Sequence, residues 1–111
     1  MRYVMSKRKK LIRAAFRDAV FARDNHQCVM CGLSSEEDHL DAHHITDRNA
    51  MPNGGYVKEN GISLCSECHI KAEVYHQTGH QEHVEGFLPE DLYLKVGSSY
   101  ASAYAASERL N

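Results

Sequence analysis

The sequence lacks any apolar run approaching the ~18–20 residues needed to span a bilayer, so no membrane partner is expected. It lacks internal repeats and low-complexity tracts. With 42% apolar and 25% charged residues, that argues against a disordered chain. It lacks the length for two full-sized cores: 111 residues make one small domain, or one domain with helical extensions. It also lacks the uninterrupted apolar segment of a signal peptide. Met1–Lys10 is basic, but the Leu11–Arg17 stretch after it is broken by charge every few residues. The expectation is a protein that stays in the cytoplasm. Nor is there a large net charge of one sign, and −2 overall names no polyanionic partner.

The distribution of charge says more than its total. Residues 1–24 hold eight basic side chains against two acidic ones, and the remaining 87 residues hold five against thirteen. A basic arm joined to a segment with another job is the pattern of a phosphate-contacting element. The alternative reading of the same run is a solvated helix face.

Four cysteines fall as two C-x-x-C pairs, Cys28/Cys31 and Cys65/Cys68, separated by 33 residues. In a reducing compartment thiolate–metal ligation explains them better than disulfides, and two matched pairs argue against a redox dithiol. Two thiolates three positions apart on a tight turn reach one ion at ~2.3 Å, and a second such turn completes a tetrahedron. Four thiolates leave no open position, so the reading is a structural Zn²⁺ and not a catalytic one. Gly32 suits the first turn, and the long spacer must itself be folded.

Apolar residues at Leu11, Ile12, Ala15, Phe16, Ala19 and Val20 form a stripe of helical period, with Lys10, Arg13 and Arg17 opposite. This predicts an amphipathic basic helix ending near Asp24-Asn25. Leu40–Ile45 reads as a strand, Met51–Gly55 as a turn and Gly61–Leu64 as a second strand. Ser66 reads as the N-cap of a helix from about Glu67 to Gln77, stopped by Gly79. Leu88–Val96 reads as a short helix closed by Gly97, and a last helix capped by Ser98 or Ser99 runs to Leu110. Tyr100 and Tyr104 share a face of it, expected to pack against the first helix.

The ordered set Cys28-x-x-Cys31, Leu40-Asp-Ala-His-His-Ile45, Asn60-Gly-Ile-Ser-Leu-Cys65 and Cys68-His69 resembles the HNH endonuclease family, most closely its small zinc-containing phage and bacterial members. The resemblance covers residues 23–73, about half the chain. It implies an α+β fold: a small zinc-stabilised ββα-metal (His-Me finger) core flanked by N- and C-terminal helices. The organisation expected is a basic helix over 1–24, a zinc-bound core over 25–78 and a helical extension over 79–111. The implied function is a metal-dependent endonuclease hydrolysing phosphodiester bonds of DNA, most naturally double-stranded. It would use Mg²⁺, Mn²⁺ or another divalent transition ion in addition to zinc.

Phosphodiester hydrolysis needs a base for water, an ion against the developing charge and help for the leaving oxygen. Adjacent strand residues point to opposite sides, so His43 and His44 cannot both grip one ion and one is free for proton transfer. Matched to the family motif, His44 resembles the general base, and His43 and His69 resemble metal ligands. Asn60 resembles the residue that orients the loop and His44. A neutral imidazole with pKa near 6.5 suits proton abstraction, so cleavage is expected to fall on acidification through that range.

Glu73, one helical turn after His69, stands where some relatives carry a histidine ligand. It reads either as a further ligand or as a solvated carboxylate. Asp41 reads as an acceptor for an imidazole N–H. Lys9, Lys10, Arg13, Arg17, Arg48 and Lys71 are candidate DNA contacts, each also readable as a solvated side chain. His76, His80 and His83 are expected at the surface or core edge, because Gly79 interrupts their spacing. Two alternatives from other classes stay open. One is a non-catalytic zinc-ribbon DNA-binding module. The other is an accessory nuclease active only with phage packaging or processing proteins.

Overall fold

The computed structural model describes residues 7–110. Residues Lys7–Arg23 form helix α1, and the first six residues of the segment expected over 1–24 lie outside the described residues. Strands β1 (Leu40–His44) and β2 (Gly61–Cys65) follow, then helices α2 (Ser66–Gln77), α3 (Pro89–Lys95) and α4 (Tyr100–Glu108). The result is a mixed α+β fold built on two antiparallel strands, with Leu40 opposite Cys65 and His43 opposite Ile62. Three short helical turns, Arg48–Ala50, Pro52–Gly55 and Lys58–Asn60, occupy the connection between the strands. No helix among the described residues is long and apolar enough to cross a membrane.

β2 is buried at every residue, because α1 covers one side and α2 continues directly from its end. α1 contributes Phe16 and Val20 to that contact, whereas Leu11, expected on the same stripe, is 70% exposed. The helix meets the sheet only over its second half, so the apolar period outlasts the surface available to it. Gly61 sets the depth of the contact. A Cβ there would lie 2.4 Å from Val20 Cγ2 and 2.8 Å from Phe16 Cε1, closer than atoms approach. The end of α1 is pinned by charge-assisted bonds. Arg23 donates to the Lys58 carbonyl at 2.6 Å and to the Gly61 carbonyl at 2.7 Å, while Asp24 Oδ2 accepts from the Ser63 N–H at 2.9 Å.

Two expectations at helix ends need correction. Ser66 is not an N-cap: it is the first residue of α2, Cys65 holds the cap position, and Asp38 accepts from the Ser66 N–H at 3.1 Å. A carboxylate 28 residues upstream thus serves a terminus that local sequence assigned to a serine. Tyr100 and Tyr104 stay exposed, and α4 packs mainly on the short turns between the strands instead of on α1. Its cap is Ser99, whose hydroxyl accepts from the Ser102 N–H at 3.0 Å. Leu92, Tyr93 and Ala103 bring α3 and α4 into the same core as Leu40, Ile45, Ile62 and Leu64.

Candidate metal and catalytic sites

Two clusters of ligating side chains form among the described residues. In the first, the sulfurs of Cys28, Cys31, Cys65 and Cys68 all lie within 4.8 Å of one another. A tetrahedron of ~2.3 Å zinc–sulfur bonds has edges of about 3.8 Å, so the sulfurs fit one ion. Gly32 at φ +85° closes the first turn and lets its N–H donate to the Cys28 carbonyl at 2.8 Å. The second turn is the junction of β2 and α2. Burial works to raise the Cys28 thiol, but backbone N–H groups of Cys65, Cys31 and Met30 outweigh it and bring the pKa down to about 7. Burial and the neighbouring sulfurs push Cys68 up. Four sulfurs competing for negative charge in one place is the electrostatic pattern that a shared cation relieves. The four-cysteine cluster can hold a metal such as zinc.

The second cluster joins His43 on β1 with His69 and Glu73 on α2. Glu73 Oε2 lies 3.1 Å from His43 Nδ1 and 3.4 Å from His69 Nε2. Separations of about 3 Å suit ligands of one ion at ~2.1 Å, and two imidazole nitrogens with one carboxylate oxygen are a donor set that favours a divalent transition ion over Mg²⁺. His43 is 2% exposed, and among the described residues neither of its ring nitrogens has a hydrogen-bond partner; the Glu73 contact is close but off the bonding line. An orphaned buried imidazole is costly unless something else takes its lone pair, and a cation between these atoms does so. Burial lowers the His43 pKa. Closeness to the His43 ring, with smaller effects of His69 and His76, lowers the Glu73 carboxyl to about 2 against the opposing effect of burial. Asp41 Oδ2 accepts from His69 Nδ1 at 2.9 Å, which leaves Nε2 with its lone pair facing Glu73. Asp41 Oδ1 also accepts from His39 at 3.0 Å.

His44 points away from that cluster, as strand alternation requires, and still lines the same cleft of about 280 Å³. Its ring stacks on Phe16 of α1, centroids 4.6 Å apart, and meets the edge of Tyr56 at 4.7 Å. Its Nε2 has no hydrogen-bond partner among the described residues. Burial first, then the neighbouring His43 and Arg48, lowers its pKa to about 4. That lies well below the ordinary histidine value expected from sequence, so the imidazole is unprotonated throughout the neutral range.

Asn60 is fully buried between the strand and its preceding loop. Its Oδ1 accepts from the Thr46 N–H at 2.9 Å and the Tyr93 hydroxyl at 2.8 Å, and its Nδ2 donates to the Thr46 and Gly55 carbonyls. It therefore fixes the chain immediately after β1, and reaches His44 through the backbone and not through its side chain.

Of the candidate DNA contacts, Arg48 lines the cleft, Lys9, Lys10 and Arg17 are exposed on α1, and Arg13 lies over the Tyr56 ring. Lys71 does not line the cleft, its ammonium lying 5.8 Å from the Phe87 ring centroid. Three residues at the site carried no signal strong enough to find them. Tyr93 comes from α3. Tyr56 is a lone aromatic in a turn. His76 lines the cleft with its Nε2 on the Ile45 carbonyl at 3.1 Å, and its Nδ1 is buried without a partner. Only the i, i+7 spacing from His69 hinted at His76.

Residues 28–74 match the family model described as HNH endonuclease. No curated protein and no solved structure matches the chain.

Proposed function

From the match of residues 28–74 to the HNH endonuclease family model, we propose that the protein is a metal-dependent endonuclease that hydrolyses DNA phosphodiester bonds. One observation carries this reading: His43 Nδ1, His69 Nε2 and Glu73 Oε2 converge in the cleft that His44 also lines. A zinc scaffold alone has no use for a second ligand set beside an unprotonated, partnerless imidazole.

His43, His69 and Glu73 would hold the catalytic ion, which would supply Lewis-acid charge against the phosphate and the departing oxygen. His44 takes the proton from the attacking water. Phe16 and Tyr56 fix the plane of its ring, and Asn60 fixes the backbone after it. Asp41 keeps His69 in the tautomer that offers Nε2. Arg48 at the cleft rim meets phosphate, and Lys9, Lys10, Arg13 and Arg17 along α1 hold the duplex backbone without reading sequence. In this organisation the basic helix grips, the zinc-bound core over 25–78 cuts, and the segment over 79–111 braces the loop that carries Asn60.

A plasmid-nicking assay with Mg²⁺ or Mn²⁺ tests the reading. The wild type is expected to convert supercoiled DNA to open-circular or linear forms, and His44→Ala to lose at least a hundredfold in rate. Wild-type protein that binds DNA but cleaves neither strand with any divalent ion would leave a binding module.

A further inference from the structure

Beside the catalytic cleft lies a second one of about 530 Å³, between α1 and the loop that follows β1. Arg8, Ile12 and Arg13 form one wall, Asn53 and Tyr56 the other, and Leu110 closes one end. Among the described residues that line it there is no carboxylate side chain. The nearby acid Asp47 lines the catalytic cleft instead, and its carboxylate caps the following turn by accepting from the Asn49 N–H.

The two clefts meet at a single hydrogen bond. Arg48, on the rim of the catalytic cleft, donates from Nη1 to the Tyr56 hydroxyl at 3.1 Å. On its other side Tyr56 carries the Arg13 guanidinium 5.9 Å from its ring centroid. One phenol thus touches the proposed proton acceptor and two cations at once. Those cations, drawn to a neutral hydroxyl, lower the Tyr56 pKa against the opposing effect of burial. Arg23, by contrast, is neutralised by Asp24 at 2.8 Å. Positive charge gathered in a concavity whose described lining carries no acidic side chain calls for an anion, and Ile12 and Leu110 add an apolar floor that a bare ion does not need. The volume falls within the ~300–1,000 Å³ of small-ligand sites.

We propose that this cleft is a nucleotide subsite. It takes one nucleotide unit of the strand that enters the catalytic cleft, with the phosphate between Arg13, Arg8 and the Tyr56 hydroxyl and the sugar or base on Ile12 and Leu110. The proposal rests on the nuclease reading for the direction of the strand, but the subsite itself is a matter of binding. Tyr56 is then a positioning residue twice over, since the side chain that meets the strand also abuts the His44 ring.

The test reads binding without cleavage. Hexathymidylate is titrated into ¹⁵N-labelled protein in Ca²⁺ buffer, and shifts are followed by NMR. The expected result is movement of the Arg13, Asn53, Tyr56 and Leu110 signals. Arg13→Gln should weaken binding about fivefold at 0.1 M salt and lower the log–log salt slope by about 0.7, as loss of one phosphate contact on a single strand does. Tyr56→Phe, which keeps the ring and removes only the hydroxyl, should weaken binding severalfold with an otherwise unchanged spectrum. Shifts centred on Lys71 or Arg109, or unaltered affinity and salt slope in Arg13→Gln, would overturn the proposal. So would inorganic phosphate alone reproducing the shifts while Ile12 and Leu110 stay still. A wild type that binds here but nicks no plasmid would sink the nuclease reading and leave the subsite standing.

Discussion

The hydroxyl of Tyr93 donates to Asn60 Oδ1 at 2.8 Å, and Thr46 Oγ1 lies 2.6 Å from the same hydroxyl. A helix near the end of the chain thus holds the amide that fixes the loop after the histidine pair. Tyr93→Phe keeps the buried ring and is expected to cost about 1 kcal/mol in stability. In the proposed enzyme it should lower kcat about tenfold or more, because small misplacements of reacting groups are costly. Denaturant unfolding and kcat measured side by side check this. A stability loss with unchanged kcat would confine Tyr93 to packing.

Asn60→Ala is expected to be worse. It strips partners from the Thr46 N–H and from the Thr46 and Gly55 carbonyls, at ~1–3 kcal/mol for each group left unsatisfied. A melting temperature close to wild type would contradict the buried network.

The imidazole of His44 titrates near 4 in the folded chain against ~6.5 when unfolded. Between those values the unfolded chain binds a proton that the native one refuses. Its contribution to stability is therefore complete above about pH 6.5 and is lost as pH falls toward 4. The loss amounts to at most ~3 kcal/mol. His44→Phe keeps a ring against Phe16 and removes the titration, so its stability should fall less between pH 7 and 4.5 than that of the wild type. Parallel curves from denaturant unfolding at each pH would refute the shift. The acid limb of kcat due to His44 should likewise lie below pH 5.

Asp41→Asn removes the charge that orients His69. Affinity for Mn²⁺ is expected to fall ~10–100-fold, as for other carboxylates behind a ligating imidazole. Titration followed by electron paramagnetic resonance reads this directly, and an unchanged dissociation constant would remove Asp41 from the site.

Elemental analysis is expected to find one tightly held zinc per chain after dialysis against Mg²⁺ buffer. Cys65→Ser should abolish it and unfold the junction of β2 and α2, since structural zinc binding is worth ~10–16 kcal/mol of folding. A folded, zinc-free Cys65→Ser protein would contradict a structural role.

Much of this was legible in the residues because the signals are local. The paired cysteines, the doubled histidine, the stripe through Phe16 and Val20 and the four-residue step from His69 to Glu73 each need only a helix, a strand or a turn to acquire meaning. The contacts that were not legible are long-range. Asp38 serves the start of α2 from 28 residues away, Tyr93 reaches Asn60 across 33, and nothing near either end marks the pairing. Leu11 misled for a related reason: a periodic stripe reports what a helix can bury, and only the tertiary surface decides how much it does. The pKa of His44 was out of reach because burial sets it.

The missing side chain at Gly61 ties two tasks to one hydrogen atom. Phe16 presses on that glycine from one direction and lies flat on His44 from another, so even an alanine at position 61 would lever α1 outward and tilt the imidazole with it. Saturation mutagenesis of that codon should return a single amino acid, and trimming Val20 alone would not free the seat, because Phe16 would still lie 2.8 Å from the added carbon.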